Sequence, residues 1–233
     1  DPEWARFPGY SFGLADEEQG DAIQQPLAGL PLVGDDGKAT FPVSIDQLPS
    51  TTRLINAGVT VRMRESGGRA VEEKLDIAVR PQTDMIGIRP GFEGDSVPQG
   101  GTATFDVISV QADGTRNAAP GLIWTLVKLE RQYQWYREDG SWNYEPVTLT
   151  NAIANGTVDA PAEGSGKISF PVDWGRYRLE VEPADGSGSA TSYEFDAGWY
   201  VEATSTETPD GLEVALDKEE YNAGETAKLK VSP

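Results

Sequence analysis

The sequence contains neither cysteine nor histidine among its 233 residues. Without cysteine there is no disulfide, no thiolate nucleophile and no sulfur ligand for zinc, and without histidine there is no imidazole base for a catalytic triad. No apolar run approaches the roughly 18 residues of a membrane-spanning helix, and residue 1 does not begin a signal peptide. These absences exclude the commonest hydrolytic and zinc sites, and they leave the cellular compartment open.

Basic residues are also scarce. The chain has 19 Lys and Arg against 38 Asp and Glu, which gives a net charge of −19. This charge argues against a nucleic-acid partner and against an anionic membrane surface. The acidity is spread along the chain, with 13 acids to 8 bases in residues 1–82, 17 to 8 in 83–200 and 8 to 3 in 201–233. We interpret it as a solvated acidic surface.

No segment has the periodicity of an amphipathic helix, whereas 26 glycines and 16 prolines punctuate many short strand-like runs. This pattern predicts an all-β protein. About seven short antiparallel strands in one module are typical of an immunoglobulin-like β-sandwich. We predict strands over residues 4–14, 39–45, 57–64, 70–79, 85–89, 102–110, 167–172, 176–182, 192–195, 212–216 and 227–231. The predicted inward-facing side chains are Phe105, Val107, Trp124, Ile168, Phe170, Leu179, Val181, Tyr193 and Phe195.

The longest strand pattern is a hairpin over residues 123–150. Asp139-Gly140 at its middle tolerates the positive φ of a tight turn. Large side chains occupy every second position near both ends of the outgoing strand, the period at which side chains share one face of a sheet. These side chains are Trp124, Leu126, Tyr133 and Trp135. We expect this hairpin to form the centre of the only complete module.

An internal repeat predicts the domain organisation. Residues 37–43 (GKATFPV) match residues 166–172 (GKISFPV), and residues 99–107 (QGGTATFDV) match residues 223–231 (AGETAKLKV). The two matches give nearly the same period, so they indicate tandem modules. We predict the C-terminal part of one β-sandwich at residues 1–82, a complete sandwich at 83–200 and the first strands of a third at 201–233. The chain is then a piece of a longer array.

Two incomplete modules would leave strand edges without partners, and such edges recruit other strands. We therefore expect concentration-dependent self-association. In this hypothesis residues 212–231 of one chain pack on the strands around residues 41–43 of another.

Four motifs lie in one order along the chain: residues 10–18 (YSFGLADEE), Trp135-Tyr136 with residues 142–147 (WNYEPV), residues 174–181 (WGRYRLEV) and residues 195–200 (FDAGWY). Together they resemble the bacterial alpha-2-macroglobulin family. The resemblance covers essentially the whole chain. It implies macroglobulin-like domains just before and into the bait-region domain, with residues 212–231 similar to the first strands of that domain.

The resemblance also implies a function and a location. The parent is expected to be a large periplasmic protein, usually anchored to the inner membrane as a lipoprotein, that traps proteases after its bait is cleaved. Some members of the family carry a cysteine thioester that captures the protease covalently. Since this chain has no cysteine, that motif does not lie within it.

Two patterns have a possible binding role and a simpler structural explanation. Trp135, Tyr136, Trp142 and Tyr144 resemble an aromatic platform for sugar, although such residues more often fill a sandwich or a contact between modules. Asp35-Asp36-Gly37 and Asp95 offer oxygen ligands for calcium, although turn chemistry explains an Asp-Gly pair without a metal.

Two further patterns concern catalysis and modification. Glu138 and Asp139 could be read as a pair of glycosidase carboxylates, but they lie at a turn with no evident cleft. Asn155-Gly156-Thr157 fits a glycosylation acceptor, and in a bacterial chain we interpret it as a plain turn.

We therefore predict a structural scaffold fragment of a protease-trapping macroglobulin, with no catalytic, cofactor-binding or metal-binding residues and no enzyme activity of its own. The expected partners are target proteases, reached through the parent protein, and neighbouring macroglobulin-like domains. The alternative is a tandem immunoglobulin-like adhesin or a carbohydrate-binding module.

Overall fold

The computed structural model describes residues 4, 6–18, 20, 22–45, 47–64, 68, 70–79, 83–94, 96–138, 140–198, 213–216, 221–227 and 229–232. Throughout these residues the regular structure is β-strand and no helix occurs, which confirms the all-β prediction. Within the same residues there is no helix long and apolar enough to cross a membrane. The strands are β1 (Ser11–Phe12), β2 (Ile55–Arg64), β3 (Ala70–Val79), β4 (Met85–Pro90), β5 (Ser96–Val97), β6 (Thr102–Val110), β7 (Arg116–Asn117), β8 (Ala119–Glu138), β9 (Ser141–Ala160), β10 (Gly166–Pro171), β11 (Gly175–Glu182), β12 (Thr191–Ala197), β13 (Glu213–Leu216) and β14 (Leu229–Ser232).

Two five-stranded sheets form a β-sandwich. The first sheet has the order β1-β4-β6-β10, with β7 also beside β6. The second has the order β5-β12-β11-β8-β9. Neighbouring strands are antiparallel except β5 and β12, which run parallel. The hairpins β2–β3 and β13–β14 form two further sheets of two strands each.

The core lies between the inner faces of the two large sheets. Phe105 of β6 is at its centre, because its ring contacts those of Phe92, Phe170, Tyr193 and Phe195. Every predicted inward side chain belongs to this core. Trp124 and Tyr193 are partly buried against it, and the other seven are buried.

The long hairpin is confirmed and extends further than predicted, with 20 residues in each of β8 and β9. Gly140 has a φ of 83° in the turn. The pairing changes register between Leu126 and Val127, because Leu126 pairs with Ala154 and Val127 pairs with Ala152. This leaves Ile153 as an extra residue in β9, a β-bulge.

The interpretation of Asn155-Gly156-Thr157 as a turn is wrong. These residues lie inside β9, where Gly156 is paired with Trp124 of β8. A Cβ atom on Gly156 would come within 2.8 Å of the Trp124 indole. Gly156 therefore provides the space in which the indole stacks on Phe170, with 5.7 Å between ring centroids.

Part of the hairpin extends beyond the sandwich. Strand β11 pairs with β8 only as far as the pair Arg176–Leu129. Further along, β8 and β9 pair with each other up to Glu138 and Ser141. We call residues 130–149 the arm. At about 3.4 Å per residue, nine residues of β8 give it a length of about 30 Å.

The predicted strand over residues 39–45 is wrong. These residues are irregular and almost all exposed, although they match the segment that contains β10. Strand β10 is held by six paired residues of β6, whereas no described strand lies beside residues 39–45 to accept their hydrogen bonds. The surface expected to bind residues 212–231 of a second chain is thus not a sheet edge. Self-association itself stays a prediction.

Most of the predicted strand over residues 4–14 is also wrong, since only Ser11–Phe12 is a strand. Two tight turns precede it, closed by hydrogen bonds from Phe7 N to Trp4 O and from Tyr10 N to Phe7 O. Pro8 and Gly9, which has a φ of 76°, favour these turns over an extended chain.

The second pair of matching sequences, residues 99–107 and 223–231, begins with the same kind of turn in both copies. Gly101 N donates to Pro98 O at 2.8 Å, and Glu225 N donates to Asn222 O at 3.0 Å. The third residue of each turn is a glycine with positive φ, 69° at Gly100 and 93° at Gly224. The matching sequences therefore form the same kind of turn ahead of a strand, which accounts for the glycine in both copies.

The contrast between Trp124 and Trp142 gives the first prediction. We expect Trp124→Ala to lower the free energy of unfolding by roughly 3 kcal/mol, because it removes a large side chain packed on the core. Trp142 is 68% exposed, so Trp142→Ala is expected to change stability by less than about 0.5 kcal/mol. Urea unfolding of the two variants measures the difference, and the reverse ranking would contradict the assigned core face.

Candidate functional site

The junction between the N-terminal residues and the sandwich is the most extensively bonded feature outside the core. Residues 10–17, which we call the junction segment, begin by adding β1 to the free edge of β4. Ser11 pairs with Ile88 and Phe12 with Gly87. After Phe12 the segment leaves the first sheet and reaches β12 of the second. It therefore connects the two sheets along one side of the sandwich.

Two buried hydroxyl groups of β12 hold this crossing. Thr191 Oγ1 accepts a hydrogen bond from Gly13 N at 3.0 Å and donates one to Ile86 O of β4 at 2.6 Å. Ser192 Oγ accepts from Ala15 N at 2.7 Å, and Ser192 N donates to Gly13 O at 3.1 Å. Because Thr191 and Ser192 are 0% and 2% exposed, each of these bonds satisfies a polar group that water does not reach.

On its other side the junction segment contacts residues 51–53, which lead into β2. Arg53 donates through Nε to Leu14 O and through Nη2 to Ala15 O, both at 2.9 Å. Leu14 N donates to Thr52 Oγ1 at 2.8 Å. Gly13 is enclosed here, since a Cβ atom would lie 2.7 Å from Arg53 Cγ and 2.8 Å from Thr52 O. Its φ of 86° also favours glycine.

Two carboxylates fix the end of the segment. Burial tends to raise the pKa of Glu17, but hydrogen bonds from Thr51 and Thr52 and the charge of Arg53 outweigh it and hold the pKa below its ordinary value. Asp16 Oδ2 lies 2.5 Å from Arg178 Nη1 of β11. The Arg178 side chain is 12% exposed and the Asp16 side chain 47%, so the pair is shielded from solvent on the arginine side only.

The N-terminal residues also cover the outer face of the first sheet. Met85, Ile108 and Val110 are buried without belonging to the core between the sheets. The Phe12 ring packs over Gly87, where a Cβ atom would lie within 2.9 Å of the Phe12 ring and within 2.8 Å of Ile108. Trp4 contacts the rings of Phe7 and Phe12. These rings therefore form a second apolar layer outside the sandwich.

A charged cluster borders this layer. Asp106 of β6 binds Arg89 at 2.6 Å, accepts a hydrogen bond from Ser165 at 3.1 Å and forms an ion pair with Lys167. Arg89 also lies over the Tyr10 ring, 4.7 Å from its centroid. Burial tends to raise the pKa of Asp106, but its three donors outweigh burial and hold the pKa below 3.8. The cluster thus connects β4, β6, β10 and the junction segment.

This arrangement holds backbone in place. The hydrogen bonds of Thr191 and Ser192 run to backbone groups and not to a carboxylate that could act as a base. In the part of the chain that the structure describes, no three His, Cys, Asp or Glu side chains are grouped so that they could hold a metal ion.

Two family models match consecutive parts of the chain. The bacterial alpha-2-macroglobulin MG5 domain matches residues 1–81, and bacterial macroglobulin domain 6 matches residues 87–199. The chain belongs to the bacterial alpha-2-macroglobulin family. The junction segment therefore lies in the part that matches the first macroglobulin domain, while β1 completes a sheet of the second.

Similar proteins include the alpha-2-macroglobulins of Xylella fastidiosa strain 9a5c, 31% identical, and of Escherichia coli strain K12, 30% identical. Each match covers 97% of this chain and 14% of the relative, so the chain spans about one seventh of their length. Among solved structures, native E. coli alpha-2-macroglobulin has a TM-score of 0.66 at 29% identity. Salmonella alpha-2-macroglobulin reacted with methylamine has a TM-score of 0.64 at 28% identity, and both matches cover 98% of this chain and 15% of the other.

The predicted aromatic platform of this macroglobulin chain exists only in part. Trp135 is paired with Tyr144 and Arg137 with Trp142, so these four side chains share one face of the arm. Tyr136 is paired with Asn143 and lies on the opposite face. We call the first surface the aromatic face, which consists of Arg131, Tyr133, Trp135, Arg137, Trp142, Tyr144, Pro146 and Thr148.

The remaining predicted positions lie apart from the junction. Asp36 accepts a hydrogen bond from Lys38 N at 3.1 Å in an exposed turn with Asp35 and Gly37, as turn chemistry predicts. Asp95, Asp139 and the side chain of Glu138 lie outside the described residues. The predicted calcium site, which needs Asp95, therefore stays a prediction.

The junction is not predicted from the sequence. Residues 10–18 stand out there as a family motif, but alternation places them in a longer strand and indicates no partner for them. Nothing in the sequence pairs Gly13 with Thr191, since 178 residues separate them.

Asp106 gives a prediction about pH. A carboxylate with a lowered pKa stabilises the folded state above its unfolded pKa, and this stabilisation is lost as the pH falls through the folded pKa. We expect Asp106→Asn to cost roughly 1–3 kcal/mol at pH 7, the usual range for buried hydrogen bonds to charged groups. The difference in the free energy of unfolding between this variant and the parent chain should shrink below about pH 4. Urea unfolding between pH 3 and 7 measures it, with Asp35→Asn in the exposed turn as control. A difference in unfolding free energy that stays constant with pH would contradict a stabilising role for the Asp106 carboxylate.

Gly13 gives a prediction about the junction. Gly13→Ala is expected to destabilise the junction by roughly 1–3 kcal/mol, through positive φ and through collision with residues 52 and 53. Trypsin should then cleave after Arg53 faster than in the parent chain. Gly29→Ala is the matched control, because Gly29 has a φ of 69° with no atom within 4 Å of the added Cβ. Equal cleavage of both variants would show that the close contacts at Gly13 do not hold the segment.

Proposed function

We propose that this chain is a scaffold part of a bacterial alpha-2-macroglobulin that traps proteases after its bait is cleaved, and that the chain supplies no chemistry of its own. The observation that carries the proposal is the junction, in which one macroglobulin domain lends a strand to the next. Such a connection suits two modules that keep a fixed arrangement while other parts of the protein move.

The type of bonding at the junction supports this role. Buried backbone hydrogen bonds, an apolar layer and the ion pair between Asp16 and Arg178 resist relative motion of the two matched regions. A hinge has the opposite character, with few buried contacts and backbone exposed to solvent. The hydroxyl groups of Thr191 and Ser192 at the junction bond backbone groups, as expected of a structural contact.

The solved relatives support the link to proteases. One is described as E. coli alpha-2-macroglobulin activated by porcine elastase, with a TM-score of 0.63, and another as trypsin-activated alpha-2-macroglobulin, with a TM-score of 0.57. By extension we propose that proteases are partners of the parent protein and meet this chain only as part of it. We also propose a periplasmic, inner-membrane-anchored parent, an expectation that rests on the family resemblance.

A trapping experiment tests the scaffold role. Trypsin or elastase is incubated with the full-length protein that contains this sequence, and activity is measured on a large protein substrate and on a small peptide substrate. We expect activity on the large substrate to fall while activity on the peptide is retained, because a trapped protease is enclosed but not blocked. The isolated 233-residue chain is expected to affect neither reaction.

Two results would overturn the proposal. One is inhibition of either protease by the isolated chain, and the other is turnover of a peptide or glycoside by that chain. The full-length protein with Gly13→Ala serves as the structural variant. It should trap less protease than the protein with Gly29→Ala if the junction supports the trap.

A further inference from the structure

The arm has two chemically different faces. Side chains alternate along a strand, and residues paired across a hairpin share a face. The aromatic face therefore combines four aromatic rings with Arg131 and Arg137. The opposite face carries Gln134 and Tyr136, with Glu145 and Asn143 across from them.

Three of the four rings of the aromatic face contact one another. Tyr144 lies 5.8 Å from Tyr133 and 5.4 Å from Trp135 between ring centroids. Arg131 lies over the Tyr133 ring at 5.7 Å. These contacts hold Tyr133, Trp135 and Tyr144 in place before any partner binds, so these three side chains lose little entropy on docking.

The two tryptophans of the aromatic face remain open to solvent, whereas Tyr133 and Tyr144 are half-buried. Trp135 is 51% exposed and Trp142 is 68% exposed. Tryptophan, tyrosine and arginine are the side chains most enriched where protein interfaces have their strongest contacts. A contiguous exposed surface of these three residue types is typical of a protein contact.

The length of the arm indicates what it can reach. The arm extends about 30 Å beyond the point where β11 stops pairing with β8. A domain of 100 residues has a radius of gyration of about 13 Å, so the arm spans most of the width of a neighbouring module. A two-stranded ribbon is marginally stable alone in water, and a neighbour along one face would stabilise it.

Charge indicates the character of the partner. The aromatic face has two arginines and no carboxylate, within a chain of net charge −19. Acids exceed bases in each of the three predicted modules of this chain. A module of similar composition would offer an acidic surface complementary to Arg131 and Arg137.

Carbohydrate fits this surface less well. Small ligands are usually bound in concave sites with a few placed polar groups. The aromatic face lies on a projecting ribbon, and it has no Asp, Glu, Asn or Gln side chain to bind sugar hydroxyls.

We propose that the aromatic face of the arm docks on an acidic surface of another module of the same polypeptide. The proposal rests on the proposed function in one respect, that this chain is part of a longer macroglobulin. Trp135 and Trp142 provide the apolar contact, and Arg131 and Arg137 pair with carboxylates of the neighbour.

Photo-crosslinking of the full-length protein tests the proposal. The photoreactive residue p-benzoylphenylalanine replaces Trp142 in one variant and Tyr136 in another. Tyr136 is the matched control, because it is a 40% exposed aromatic on the opposite face of the same arm. After irradiation, gel mobility distinguishes internal from intermolecular products, and mass spectrometry locates the attachment.

We expect the Trp142 variant to give an internal product, attached near Asp or Glu residues outside the 233 residues of this chain. The yield should exceed that of the Tyr136 variant by about tenfold, because the probe at position 136 lies on the opposite face of the arm and does not face the docked module. Adding Arg131→Gln and Arg137→Gln to the Trp142 variant should lower the yield, as should high salt.

Several results would overturn the docking. These are equal yields from both faces, attachment to a second polypeptide, attachment to a glycan, or no product in the intact protein. Unfolding of the isolated chain with the same substitutions checks that the arm still forms. The readout requires no protease, so internal crosslinking without trapping would reject the scaffold function and retain the docking. Trapping without internal crosslinking would reject the docking and retain the scaffold function.

Discussion

The backbone pairing of β1 with β4 is the interaction on which the rest of the structure depends. Without β1, the N–H and C=O groups of β4 would face solvent at the edge of the first sheet. The pairing places Phe12 on Gly87 and brings Gly13 to the hydroxyl group of Thr191. The second apolar layer, the crossing to β12 and the contacts with Arg53 all follow from that position. Two regions that match separate family domains thus share one sheet.

Strands with a partner close in sequence were the most predictable part of the fold. Strand β3 has the predicted bounds, and the β8–β9 hairpin turns at Gly140 as expected. Alternation also identified the core side chains of β6, β10 and β11, because one face of each strand packs against the core between the sheets. The errors at residues 39–45 and 4–10 share a cause. Apolar alternation identifies a segment that can be extended, but a strand also needs a neighbour to accept its hydrogen bonds.

The candidate site was much less predictable. Thr191 and Ser192 look like ordinary strand residues, and their role arises from a segment near the other end of the chain. The aromatic residues of the arm can be recognised as a group in the sequence, but the sequence does not show which of them share a face of the arm. Trp135 and Tyr136 are adjacent in sequence and therefore lie on opposite sides of a ribbon. Only the observed pairing shows which rings are neighbours.

The pairing of the arm also limits how its length can change during evolution. A single-residue insertion in one strand would turn every later side chain of that strand to the other side. Balanced insertions of two residues in each strand would lengthen the ribbon and keep tryptophan, tyrosine and arginine together. A bulge such as the one at Ile153 could absorb an odd residue near the base. Relatives with arms of different length should therefore differ by even numbers of residues beyond that point.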